Sequence, residues 1–171
     1  MTAIAGSVFT AAQFNTFVRD NLNECPASKA VTPGSYFATS DTNQLSERVL
    51  AEAAVETSEG TTSTSYTALA TPGPSVTVTT GNKALVWVTA DLVCGTAGQS
   101  ARTTFNVSGA SSVAENDALA LRNVTNAVIR ATAGPTIAAL TPGSNTFTMT
   151  YRTSGASTST FINRRIVVMP F

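Results

Sequence analysis

The chain has 171 residues, with ten Lys+Arg against ten Asp+Glu, no histidine, 43% hydrophobic residues and only 12% charged ones. This length is enough to bury one sizeable core, and zero net charge supplies no long-range field for nucleic acid or an anionic membrane. The lack of histidine excludes Ser-His-Asp and Cys-His catalysis, His metal sites and His-based pH switches.

No positively charged stretch precedes the apolar start Met1–Phe9, so no cleaved leader is expected. No run approaches the length of a membrane span. A helix is predicted from Thr10. Thr10 and Gln13 have capping-box spacing, and Phe9 and Phe14 have hydrophobic-staple spacing. Phe14, Phe17, Val18 and Leu22 then fall on one stripe, and Pro26 ends the helix just past Cys25. An isolated helix this short is marginal in water. Its stripe needs a surface, either on its own domain or on another chain.

Pro33-Gly34 introduces a short strand at Ser35–Thr39, a turn at Asp41–Asn43 and a second extended piece at Gln44–Val49. Leu50–Glu59 reads as a helical turn or a linker. The chain is therefore divided into an arm, residues 1–60, and a β-domain, residues 61–171.

In the second part, strands are expected at Thr61–Leu69, Val76–Thr80, Ala84–Val93, Ala101–Ser108, Ala118–Asn123 and Ala127–Ala133. Pro135–Leu140 follows a Gly-Pro break, and Thr146–Thr153 and Ser159–Pro170 complete the set. Short antiparallel strands joined by tight turns predict a mainly β fold, an antiparallel β-sandwich of jelly-roll type. Helical spacing within Asp117–Ala133 is the competing reading of that segment.

Few residues point to chemistry. Asp91, Glu115 and Asp117 are weighed as a carboxylate pair or calcium site, but Glu115-Asn116-Asp117 reads more simply as a polar turn. Cys25 and Cys94 are too few for a disulfide scaffold and read as small apolar residues, with a bridge left open. Arg164-Arg165 is the one basic doublet. In a strand its side chains face opposite ways, and an inward Arg requires a carboxylate or several carbonyls. The strand is apolar on both faces beyond it. Phe161, Ile162, Arg164, Arg165, Ile166 and Val168 are accordingly expected at an interface between copies of the chain.

Three segments carry a resemblance. AGSVFTAAQFNTFVRDNLNE resembles the start of virion proteins of tailed phages infecting actinobacteria. PGSYFATSDTNQLSERV is similar to a motif of phage fibre and head-attached proteins. FINRRIVVMPF resembles the last strand of the trimeric jelly rolls that end such proteins. The resemblance implies a non-enzymatic virion protein, assembled in the host cytoplasm and seated on the outer capsid surface. Its partners would be itself, as a homotrimer, and the major capsid protein, with no nucleic acid and no membrane. On this reading it is a capsid decoration protein that docks through Phe9, Phe14, Phe17, Val18, Leu22, Tyr36 and Phe37. The alternative is a receptor-binding knob or short fibre that uses Trp87 or Tyr66 for host surface glycan.

Overall fold

The computed structural model describes residues 8, 10–23, 25, 29–42 and 44–171. The chain divides into two compact units, Met1–Val49 and Leu50–Phe171. The division falls at Val49–Leu50, before the expected boundary at residue 60, because the supposed linker pairs into the second unit's sheet.

In the first unit, Thr10 caps helix α1 (Ala11–Phe14): its hydroxyl accepts from the Gln13 N–H, and the Gln13 side chain accepts from the Thr10 N–H. The helix continues through one π-type turn, Asn15–Arg19, and a further α turn, Asp20–Asn23. A separate hairpin follows, β1 (Tyr36–Asp41) antiparallel to β2 (Gln44–Arg48). The Glu47 carboxylate secures the approach to it, accepting from the N–H groups of Val31 (3.0 Å) and Thr32 (2.8 Å) and from the Ser35 hydroxyl (2.6 Å). These bonds hold the Glu47 carboxyl below its ordinary pKa.

The second unit is an antiparallel β-sandwich. Its strands are β3 (Ala51–Val55), β4 (Glu59–Thr61), β5 (Ser75–Thr80), β6 (Lys83–Val93), β7 (Ala101–Gly109), β8 (Leu121–Asn123), β9 (Ile129–Ala139), β10 (Gly143–Thr153) and β11 (Ser159–Pro170). One sheet has the order β5-β10-β7-β8. The other has the order β3-β11-β6-β9, with β4 also paired to β11. The pairing is nested, first against last. β3 and β4 pair with β11, β5 with β10, β6 with β9, and β7 with β8.

Alternation on each strand supplies the core. Val86, Val88, Leu92, Phe161, Ile166 and Val168 come from one sheet, and Phe105, Val107, Phe147, Met149 and Tyr151 from the other. The Tyr151 and Phe161 rings meet at 4.9 Å across the sandwich. Cys94 is a buried thiol donating to the Thr96 carbonyl at 3.1 Å, and Cys25 is an exposed one, so the bridge left open above is not formed.

Three segments depart from expectation. Leu50–Glu59 is neither helical turn nor linker, since its residues enter β3 and β4. Thr61–Leu69 is not a continuous strand: Thr61 ends β4, and Thr67 alone bridges Tyr151. In Asp117–Ala133 the competing helical reading is not realised: the segment holds a single 3-10 turn, Asp117–Leu119, before β8, and then enters β9, as the strand reading expects. The Gly-Pro break does not divide β9. Gly134 and Pro135 form a bulge opposite Trp87, where the register passes from Val88↔Ala133 to Val86↔Thr136.

Gly134 has φ +136°, and a Cβ there would lie 2.8 Å from Cδ1 of Trp87. The bare glycine thus leaves room for the indole. Gly134→Ala is expected to cost roughly 1–3 kcal/mol, measured as a lower denaturation midpoint with unchanged slope. An unchanged midpoint would show that the bulge tolerates a side chain.

Candidate functional site

Strand β11 determines which side chains the second unit can present. Its pairing with β6 slips between Ile162 and Arg165, and Asn163 sits in the left-handed region at φ +49°. Asn is among the few side chains that adopt this conformation readily. The bulge inserts one residue, so inward positions run Phe161, Arg164, Ile166 and Val168, not every second residue. These four are fully buried in the protomer's own core. They were expected at an interface between copies, and the bulge removes them from it. Ile162, Arg165, Val167 and Met169 face outward instead.

Arg164 meets the demand that an inward arginine creates. Its guanidinium donates to the Thr57 hydroxyl at 2.9 Å and the Thr71 carbonyl at 3.3 Å, with Glu59 Oε2 at 3.5 Å. It also lies 5.3 Å from the Tyr151 ring centre. Glu59 in turn accepts from the Thr71 N–H at 2.9 Å and from the Thr71 hydroxyl. These hydrogen bonds, with Arg164 beside them, keep its carboxyl below the usual range.

Outside the same sheet, the face divides along its length. Met169 pairs with Leu85 and Val167 with Trp87, giving two half-buried apolar rows. The next rows are polar. Arg165 pairs with Thr89, whose hydroxyl shares a 3.0 Å hydrogen bond with Thr132. Asp91 clamps Arg130 through both oxygens (2.6 and 2.9 Å) and accepts from the Asn163 amide at 2.7 Å. The Arg130 bonds, and then that of Asn163, lower the Asp91 pKa.

A second ionic cluster lies on the other sheet. Arg152, Arg102 and Arg122 occupy opposed positions on β10, β7 and β8. Like charges so placed repel, and Asp117 relieves two of them by accepting from both Arg102 and Arg152. The Tyr66 hydroxyl donates to Asp117 at 2.7 Å. These partners, Arg152 foremost, hold the Asp117 carboxyl down at about 2. Burial first, and then the neighbouring carboxylate, push Tyr66 up to about 12. Asp91 and Asp117 therefore each serve arginines, while Glu115 accepts from Asn106 at 2.9 Å. Among the described residues, no group of three His, Cys, Asp or Glu side chains could hold a metal.

In the first unit, Phe14, Phe17 and Leu22 are 51%, 44% and 59% exposed. Val18, Tyr36 and Phe37 are half-buried. Phe9 lies outside the described residues. Sequence reasoning missed Leu85, Arg130 and Asn163. The one available signal was an Asn just before the Arg-Arg doublet, a residue tolerant of positive φ.

No family model matches the chain, and no curated protein matches its sequence.

The Asp117 cluster has a pH signature. A carboxyl lowered from 3.8 to about 2 stabilises the fold above its unfolded value and loses that contribution as pH falls toward 2. Tyr66, raised from 10.0 to about 12, contributes below its unfolded value and loses it as pH climbs toward 12. Asp117→Asn is expected to flatten the acid limb of a stability–pH profile, and Tyr66→Phe the alkaline limb. In the core, Glu59→Gln should lower the denaturation midpoint, and adding Arg164→Met should restore part of it by removing the unpaired charge. If Glu59→Gln is as stable as the parent protein, the pair contributes nothing.

Proposed function

We propose that this chain is a structural protein of a virion, a capsid decoration protein without enzymatic activity. It grips the major capsid protein through its first unit and self-associates through its second. The observation that carries this reading is the exposure of Phe14, Phe17 and Leu22 on a well-capped helix. Large apolar side chains grouped in this way mark a surface that another molecule covers. Burying each contributes roughly 1.5–3 kcal/mol, enough in combination to dock a short segment after ordering costs.

The second unit supports the rest of the reading. Its nested pairing, first strand against last, supports the jelly-roll form of the sandwich that the resemblance of FINRRIVVMPF implies. The apolar rows formed by Leu85, Trp87, Val167 and Met169 supply a contact between copies. A closed three-fold ring satisfies such a patch with one repeated heterologous contact. The ring therefore rests on Val167 and Met169, the outward neighbours of the residues first expected there.

Phe14→Ser with Phe17→Ser should leave the second unit folded and abolish occupancy on purified particles. Unfolding of the second unit, or full decoration by the double variant, would overturn the anchor. Val167→Asp should convert a trimer to a monomer in light scattering without unfolding it. A parent protein that is already monomeric at micromolar concentration would overturn the ring.

A further inference from the structure

The bulge at Asn163 also makes a depression in the outer face of the sheet, beyond the apolar rows. It holds about 330 Å³, and its lining includes Glu56, Thr89, Arg130, Asn163, Arg164 and Arg165. That volume is at the small end of ligand pockets. Asn163 takes the left-handed conformation that asparagine adopts readily, and this sets its amide in the lining of the depression.

We propose that this depression binds a neutral, polyhydroxylated ligand, a saccharide of one or two rings. The argument rests on charge and on spare hydrogen-bonding capacity. Each of the three arginines that line it already faces a carboxylate, Arg130 that of Asp91, Arg165 that of Glu52 at 3.3 Å, and the inward Arg164 that of Glu59 at 3.5 Å. Glu56 adds a carboxylate that makes no hydrogen bond or ion pair among the described residues. An anion would meet Glu56 in the lining, with Glu52 and Asp91 behind the arginines they pair with, and a cation would meet Arg130 and Arg165. A neutral ligand meets neither penalty.

The unspent groups are donors and acceptors that line one depression. Arg130 keeps its Nη1 N–H groups, because Asp91 uses Nε and Nη2. Asn163 gives its amide N–H to Asp91 and keeps its carbonyl oxygen. Glu56 keeps both of its oxygens. Adjacent hydroxyls on a sugar ring each donate and accept, so they match a guanidinium and an amide oxygen held by one carboxylate, with a second carboxylate across the depression. Asp91 fixes both Arg130 and Asn163 before any ligand arrives, which lowers the ordering cost of binding. This pocket is independent of the capsid reading, since its rows lie beyond the apolar patch and in a different unit from the helix.

The test is saturation-transfer NMR on the full chain with glucose, galactose, cellobiose, lactose and maltose. Inorganic phosphate and putrescine serve as charged competitors. The expected result is saturable, millimolar binding of at least one sugar that neither competitor displaces. Glu56→Gln, which leaves the Asp91 clamp untouched, should weaken it about tenfold or more. Arg130→Ala should abolish it, with folding checked by circular dichroism, and Thr77→Ala on the opposite sheet should leave it unchanged. Three results would overturn the proposal: no sugar in the panel binds, phosphate or putrescine displaces the sugar, or binding persists in both pocket variants. None of these bears on whether the protein decorates capsids.

Discussion

One inserted residue in β11 governs the second unit. Asn163, left-handed at φ +49°, shifts the inward–outward phase of the strand part-way along it. Without that shift, Arg165, Val167 and Met169 would enter the core and Arg164 would leave it. With it, Arg164 reaches the space beside Tyr151, and Ile166 and Val168 complete the apolar layer above Val86 and Val88. A buried guanidinium is tolerable only if its bonds are met. The segment from Thr57 to Gly73 meets those of Nη1 and Nη2, with the Thr57 hydroxyl, the Thr71 carbonyl and the Glu59 carboxylate, while Nε has no partner among the described residues. The course of that irregular segment thus follows from the arginine beneath it.

The outer surface of the same sheet bears the consequences. The Asn163 bulge on β11 and the Gly134–Pro135 bulge on β9 lie on either side of β6. One opens a polar depression between Arg130 and Arg165. The other frees space for the Trp87 indole. Pro135 also removes a backbone donor from an edge strand, which discourages unplanned pairing along that edge. A flat sheet of alternating residues would have offered neither a pocket nor a separate apolar strip. The paired bulges divide one face into two surfaces of different chemistry.

The charged residues are few, and most serve internal geometry. Asp91 holds Arg130 and Asn163, Asp117 holds Arg102, Arg152 and Tyr66, and Glu47 gathers the backbone ahead of β1. In a chain of zero net charge, such local pairs orient side chains but steer nothing from a distance. Under the proposed function, contact with a partner falls to apolar groups. On the first unit these are Phe14, Phe17 and Leu22, and on the second they are the rows around Trp87 and Val167.

Local signals in the sequence determined the class of fold and most of its elements. Period-two alternation in Val76–Thr80, Ala101–Ser108 and Thr146–Thr153 marks strands because side chains on a pleated backbone face alternate sides. Ser159–Pro170 was delimited to the residue, and the Thr10–Gln13 cap needs only residues three apart. The need of an inward Arg164 for a carboxylate or carbonyls also followed from solvation alone. Tertiary structure decided the rest. Leu50–Glu59 is short and mixed in polarity, and becomes strand only because β11 offers it an edge more than a hundred residues away, Val55 pairing with Arg164. The phase of β11 was equally hidden, since a bulge is set by pairing with β6 and adds no apolar residue that a pattern could register. Phe161, Ile166 and Val168 were legible as buried, but not as buried within one protomer. The pocket joins Glu56, Thr89, Arg130 and Asn163 from four separate stretches of chain. Sequence records local preference, whereas long-range pairing sets the register that brings such residues together.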